Sequence, residues 1–197
     1  MDDQYSLSEK DFQEEKRKKV AKPLVWFGMA SIVMLFAGLT SAVIVRKGDG
    51  NWNSFEMPSM FLWSTIIIVI SSLTFIIGSY FAKKDNLKQV KLFIGLTLLL
   101  GLLFIYLQFL GYDQLMAENV FLTGPGSNAS GSFLYIISFL HILHLVGGMV
   151  ALSIVFFNAL KEQYNSKNLL GLQVCSTYWH FMGGMWLYLY IFFKLII

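Results

Sequence analysis

At 197 residues, with 56% of them hydrophobic and a mean hydropathy of +0.60, the chain is too apolar for a soluble domain of its length. Its formal charge of +3 points to no nucleic-acid partner, because the basic residues gather at the edges of apolar runs rather than in one patch. The single cysteine, Cys175, excludes an intramolecular disulfide and a CxxC metal site.

Residues 1–22 are acidic and then basic, and read as a cytoplasmic polar tail with no cleaved signal peptide. Coiled into a helix, the tail would pair Glu14 and Glu15 with Lys18 and Lys19, and its basic end would meet anionic headgroups. Pro23 suits a first helical turn. Residues 23–197 then form the membrane domain. They contain five runs without a single Asp, Glu, Lys or Arg: Leu24–Val45, Ser59–Ala82, Leu92–Tyr112, Gly131–Asn158 and Leu169–Phe193. Each exceeds the roughly 20 residues a helix needs to cross about 30 Å of hydrocarbon. The loop Arg46–Pro58 offers Trp52 as an interface anchor, and Thr123–Ser132 is a flexible connector. Asn128-Ala129-Ser130 matches a glycosylation sequon and is read as a chance match. With the N-terminus inside, the inner segments hold twelve Lys and Arg, whereas the outer ones hold only Arg46, Lys47 and Lys194. The positive-inside bias therefore puts the C-terminus outside. The expected fold is all-α, a polytopic membrane bundle of five transmembrane helices.

Each run carries small or polar residues at helical spacing. They are Ser31, Gly38 and Ser41/Ala42; then Ser64/Thr65, Ser71/Ser72 and Gly78/Ser79; then Thr97, Gly101 and Gln108. Run four has Ser138, His141, His144 and Gly148, and run five Gln173, Ser176/Thr177, His180 and Gly183/Gly184. In lipid such faces turn toward other helices.

The three histidines are the ionisable groups at membrane depth. At about 1.5 Å per residue, His141 lies roughly 15 Å and His144 roughly 20 Å from the outer edge, and His180 about 17 Å from the inner edge. An ionisable residue at that depth marks a functional site by default. Three chemistries fit. Neutral histidines hydrogen-bond between helices; His180 and His144 ligate a haem; or the cluster shuttles protons or holds a metal. No carboxylate lies near in sequence to orient a metal ligand. Gln108 suits an interhelical hydrogen bond. Tyr178, Trp179, Trp186, Tyr188 and Tyr190 are too many and too deep to be an interface belt alone.

Tyr178-Trp179-His180-Phe181 followed by Trp186, the segment Phe139–Gly148 with His141 and His144, Pro58 with Thr65 and Ser71-Ser72, and Thr97 with Gln108 occur in that order. Together they resemble subunit III of the haem–copper terminal oxidases, from about Phe27 to the C-terminus. The resemblance implies a non-catalytic structural and assembly subunit of a proton-pumping cytochrome c oxidase that reduces O₂ to water. In that family the subunit packs on subunit I, in a complex that includes subunit II, holds structural phospholipid and supports proton uptake. The haem and copper belong to partner subunits, and many bacterial versions have five helices. No catalytic residue, cofactor-binding residue or metal ligand is then expected in this chain. His141, His144, Tyr178, Trp179, His180, Trp186 and Gln108 become helix-packing positions, and a bacterial inner membrane the location. The alternative is a small cytochrome b-like protein with haem held by His144 and His180. Four family carboxylates are replaced: Ile32, Gly111, Gln173 and Gly183 stand near or at their positions. Roles tied to those acids do not carry over.

Overall fold

The computed structural model describes residues 2–48, 52–124, 127–162, 164 and 169–197; within 2–18 it describes the backbone and, of the side chains, Lys16 alone. The expected Glu14 and Glu15 pairs lie outside the described side chains. The described residues hold five helices and no strand: α1 (Asp2–Gly48), α2 (Ser59–Lys83), α3 (Leu87–Ala117), α4 (Ala129–Leu160) and α5 (Leu170–Ile196). Each apolar run becomes a helix because only internal backbone hydrogen bonds satisfy N–H and C=O groups away from water. Four segments are long and apolar enough to cross a membrane: Lys19–Gly48, Ser59–Lys83, Leu87–Ala117 and Ala129–Leu160. The 27 residues of α5 span about 40 Å, and α5 is not among these four segments.

The helices overrun the apolar runs, α3 by five residues at each end, and two boundaries differ in kind from the sequence reading. Pro23 does not open a helix; α1 continues through it from Asp2. A proline ring supplies no N–H, so α1 runs past this point with one helical hydrogen bond fewer. The sequon triplet is a helix start. Asn128 Oδ1 accepts from the Gly131 N–H at 2.7 Å, and the buried Ser130 hydroxyl lies 2.8 Å from the same oxygen. Asn128 is thereby an N-cap.

The inter-helix turns share one device. Asp85, Asn119 and Glu162, which follow α2, α3 and α4, have φ of 55°, 59° and 57°. Asp and Asn visit this left-handed region readily. Glu162 has less intrinsic reason to. Its carboxylate is held by Lys91 at 2.8 Å, whose hydrogen bond and charge keep it below the usual carboxylate range. The start of α2 has no side-chain cap of its own, since Pro58 occupies the cap position. Gln114 of α3 supplies one: its Oε1 accepts from the Met60 N–H at 3.2 Å, and its Nε2 donates to Ser59 Oγ at 3.4 Å.

Helices α2, α3, α4 and α5 close a ring in which each touches the next and α5 returns to α2, while α1 touches only α4 and α5. Tight approach needs glycine at one position in particular. A Cβ on Gly101 of α3 would stand 2.6 Å from Met149 Sδ and 2.7 Å from the Trp179 ring. The expected small-residue faces hold for α2, α3 and α4, where Ser64, Thr65, Ser71, Gly78, Thr97, Gly101, Gln108, Ser138 and Gly148 are buried. They fail for α1, and on α5 only Gly183, packed against Ser72 of α2, is buried as expected. Ser31, Gly38, Ser41 and Ala42 point away from the bundle, and α1 instead buries Met29, Ile32, Phe36, Thr40 and Val43. Helix α5 buries Leu172, Cys175, Trp179, Met182, Trp186 and Phe193, with Gln173 and Thr177 outside. On these two helices large side chains filling volume set the buried face, and the small and polar residues are left over.

Candidate functional site

The chemistry-bearing side chains converge on a seam through the ring. It starts on α2, where Ser64 Oγ and Thr65 Oγ1 each donate to the Phe61 carbonyl, at 2.9 and 2.7 Å. Their oxygens then accept from across the bundle. Gln108 Nε2 of α3 donates to Ser64 Oγ at 2.9 Å, and Trp186 Nε1 of α5 donates to Thr65 Oγ1 at 3.0 Å. Two turns further along α2 the pattern repeats: Trp179 Nε1 donates to Ser71 Oγ at 3.2 Å, Ser71 to the Thr97 carbonyl at 3.3 Å, and Thr74 and Thr97 share a 2.9 Å hydroxyl bond. Both tryptophans are fully buried, so their N–H groups need these acceptors.

His141 sits at the heart of the seam with no exposed surface. Its ring is 5.3 Å from Trp186 and 6.2 Å from both Phe36 and Phe104, centroid to centroid. Rings from α1, α3 and α5 thus enclose a histidine from α4, and neither of its nitrogens has a hydrogen-bond partner among the described protein atoms. One turn on, His144 is half-buried, its Nδ1 2.7 Å from the Leu140 carbonyl and its ring 5.8 Å from Phe36. A carbonyl only accepts, so Nδ1 carries the proton of the neutral ring. Tyr178 Oη donates to the His144 carbonyl at 3.0 Å and locks α5 to α4.

His141, Trp186, Gln108 and Trp179 therefore lie along one seam, in two hydrogen-bonded groups with His141 joined through its ring contact with Trp186, and His144 and Tyr178 stand at its α4 margin. His180 lies outside it. It is half-buried against Phe75 of α2, with ring centroids 5.9 Å apart, while the His141 and His144 rings pack on Phe36 of α1. The shared three-histidine cluster that the depths permitted does not form. Among the described residues no group of three or more His, Cys, Asp or Glu is placed to hold a metal ion. Two open cavities of about 440 Å³ flank α1. One, at the Lys22 end of the apolar part of α1, is lined by Lys22, Trp26, Lys83, Ser176 and Thr177 among others; the second is apolar, between Phe36 and Tyr188, and neither has a histidine in its wall.

Sequence reasoning missed Phe36, Phe61 and Phe104, the rings that frame the seam, because a phenylalanine in an apolar run carries no signal of its own. It also missed the Tyr112–Ser138 hydroxyl bond of 2.9 Å and the Gln114 cap.

Comparison with known proteins identifies the family. The family model described as cytochrome c oxidase subunit III matches residues 25–196. A probable cytochrome c oxidase subunit 3 from Nocardia farcinica is 28% identical over 172 residues, covering 85% of this chain and 82% of that protein. The cytochrome c oxidase subunit 3 of Bacillus sp. PS3 is 26% identical over 170 residues, covering 84% and 80%. That of Corynebacterium diphtheriae is 28% identical over 167 residues, covering 81% and 80%. A match over residues 25–196, most of the chain, means that this chain belongs to the cytochrome c oxidase subunit III family.

Proposed function

We propose that the chain is a non-catalytic subunit III that crosses a bacterial inner membrane five times, N-terminus inside and C-terminus outside. It packs on the catalytic subunit I, in a complex with subunit II, and holds phospholipid. The redox chemistry, O₂ reduction to water with proton pumping, belongs to the haem and copper of those partners. The observation that carries this reading is how the polar groups are spent. The seam tryptophans, hydroxyls and Gln108 bond one helix to another, while His180 is left half-buried at the bundle's edge, its ring tilted against Phe75. An ionisable group at that depth calls for a protein partner.

Helix α5 as a fifth span is supported at both ends. Lys47 Nζ of α1 donates to the Ile196 carbonyl at 2.7 Å, and at the opposite end Lys22 and Val25 of α1 share a cavity with Leu169 and Leu172. The two helices therefore run parallel through the same thickness. The same cavity, with Lys22 and Lys83 at its rim, hydroxyls from Ser176 and Thr177, and Trp26 beside them, has the chemistry of a phosphate headgroup site above acyl chains. A haem between His144 and His180 has less support, because the two rings pack on different helices.

The test is affinity purification of the tagged chain in mild detergent. Subunits I and II should co-purify with haem and copper, and all of the haem absorbance should leave with them when the chain is stripped. A haem band that stays with the folded, isolated chain contradicts the reading.

A further inference from the structure

We infer that a single buried water is bound between His141 of α4 and Gln108 of α3, inside the ring. The orphaned atoms point to it. Gln108 Oε1 and both nitrogens of His141 are buried and have no partner among the described protein atoms. The amide orientation is not free to cure this. Ser64 Oγ spends its hydrogen on the Phe61 carbonyl, so it accepts from Gln108 Nε2, and Oε1 faces away from Ser64.

The orphans lie at one height. Helices α3 and α4 are antiparallel, with Gly95 against Phe156, Gly101 against Met149 and Tyr112 against Ser138. That register sets Gln108 opposite His141 and Ile142. Tyr112, one turn from Gln108, adds a third group. Ser138 Oγ donates to the Leu134 carbonyl at 2.6 Å, so Tyr112 Oη donates to Ser138 and keeps a lone pair. A water there donates to Gln108 Oε1 and to Tyr112 Oη and accepts from the protonated nitrogen of His141. Three bonds are the usual complement of a buried water. The remaining lone pair of His141 stays among the T-shaped contacts with Phe36 and Phe104, where a positive ring edge is a tolerable neighbour. Leaving three polar atoms unpaired in a dry, low-dielectric interior is the costlier alternative. The water thereby fixes the His141 ring to Gln108 and Tyr112 across the α3–α4 contact.

The experiment is a map of the intact oxidase complex at a resolution that shows ordered water, combined with a double-mutant cycle on the same complex. The expected result is a density peak about 2.6–3.2 Å from both Gln108 Oε1 and a ring nitrogen of His141, lost in Gln108→Met. Gln108→Met and His141→Phe each shorten the half-life of subunit retention on warming roughly threefold to tenfold, and the double variant loses no more than the worse single. A wild-type map in which His141 touches protein atoms alone overturns the inference, and so does a double variant whose loss equals the product of the two singles. If the variants fail to assemble, the wild-type map still decides.

Discussion

The α2–α5 ring and helix α1 are built on different terms. Within the ring, side-chain hydrogen bonds link α2 to α3, α2 to α5 and α3 to α4, and a tyrosine–carbonyl bond links α4 to α5. Helix α1 meets α4 and α5 through one narrow buried stripe and side-chain bonds that include Thr40 to Tyr188 Oη at 3.1 Å and, at the helix end, Lys47 Nζ to the Ile196 carbonyl at 2.7 Å. Leu24, Trp26, Phe27, Met34 and Val45 of α1 are each at least 66% exposed. Without a hydrophobic drive between helices in lipid, packing and hydrogen bonds decide which helices are fixed. The ring is thus the rigid body, and α1 is the element whose surface is left for lipid or another subunit.

Breaking the ring should cost most. Trp186→Ala removes the bond to Thr65 and the ring contacts with Phe61, Phe104 and His141. By analogy with buried tryptophans elsewhere the loss is about 3–5 kcal/mol, read as failure of the subunit to remain in the purified complex. Gly101→Ala forces a methyl against Met149 and the rigid Trp179 ring, for about 1–3 kcal/mol, seen as a lower temperature of subunit loss. His180→Leu, at the ring's edge, should loosen association by about 0.6–2 kcal/mol while assembled complexes turn over normally. Full assembly with turnover abolished from the first cycle would contradict that. On the α1 side, Thr40→Val should cost only about 0.6 kcal/mol, and a loss as large as that of Gly101→Ala would erase the contrast between the two regions.

The smallest effect belongs to the surface pair. Lys91 holds the Glu162 carboxyl below its ordinary value, so the pair's contribution is fully present above that ordinary value and disappears as pH falls through the lowered one. Thermal scans of wild type and Lys91→Met should differ slightly at neutral pH and converge in acid. Divergence in acid would reverse the sign.

Much of the fold was legible in the sequence because one signal, charge-free apolar runs of spanning length, is not confused with anything else. The packing faces of α2, α3 and α4 were legible too, because these helices place their small and polar residues toward their ring neighbours. The faces of α1 and α5 were not. Phe36 and Trp179, not the small residues beside them, set the buried side, and His180, the neighbour of Trp179, is thereby rotated about 100° out of the seam. The histidine trio was misjudged for that reason: depth along each helix was readable, rotation was not. The Gln114 cap on α2 joins residues 54 apart and leaves no local trace.

The central claim, which rests on the proposed function, is that the seam's tryptophans, hydroxyls and Gln108 amide bond helix to helix within the ring while the His180 edge meets the catalytic subunit. The most direct test places a photoreactive amino acid at position 180 and irradiates intact membranes. The account predicts a cross-link between this chain and oxidase subunit I, in turnover-competent complexes. Cross-links to lipid alone, or to a helix within this chain, would contradict it.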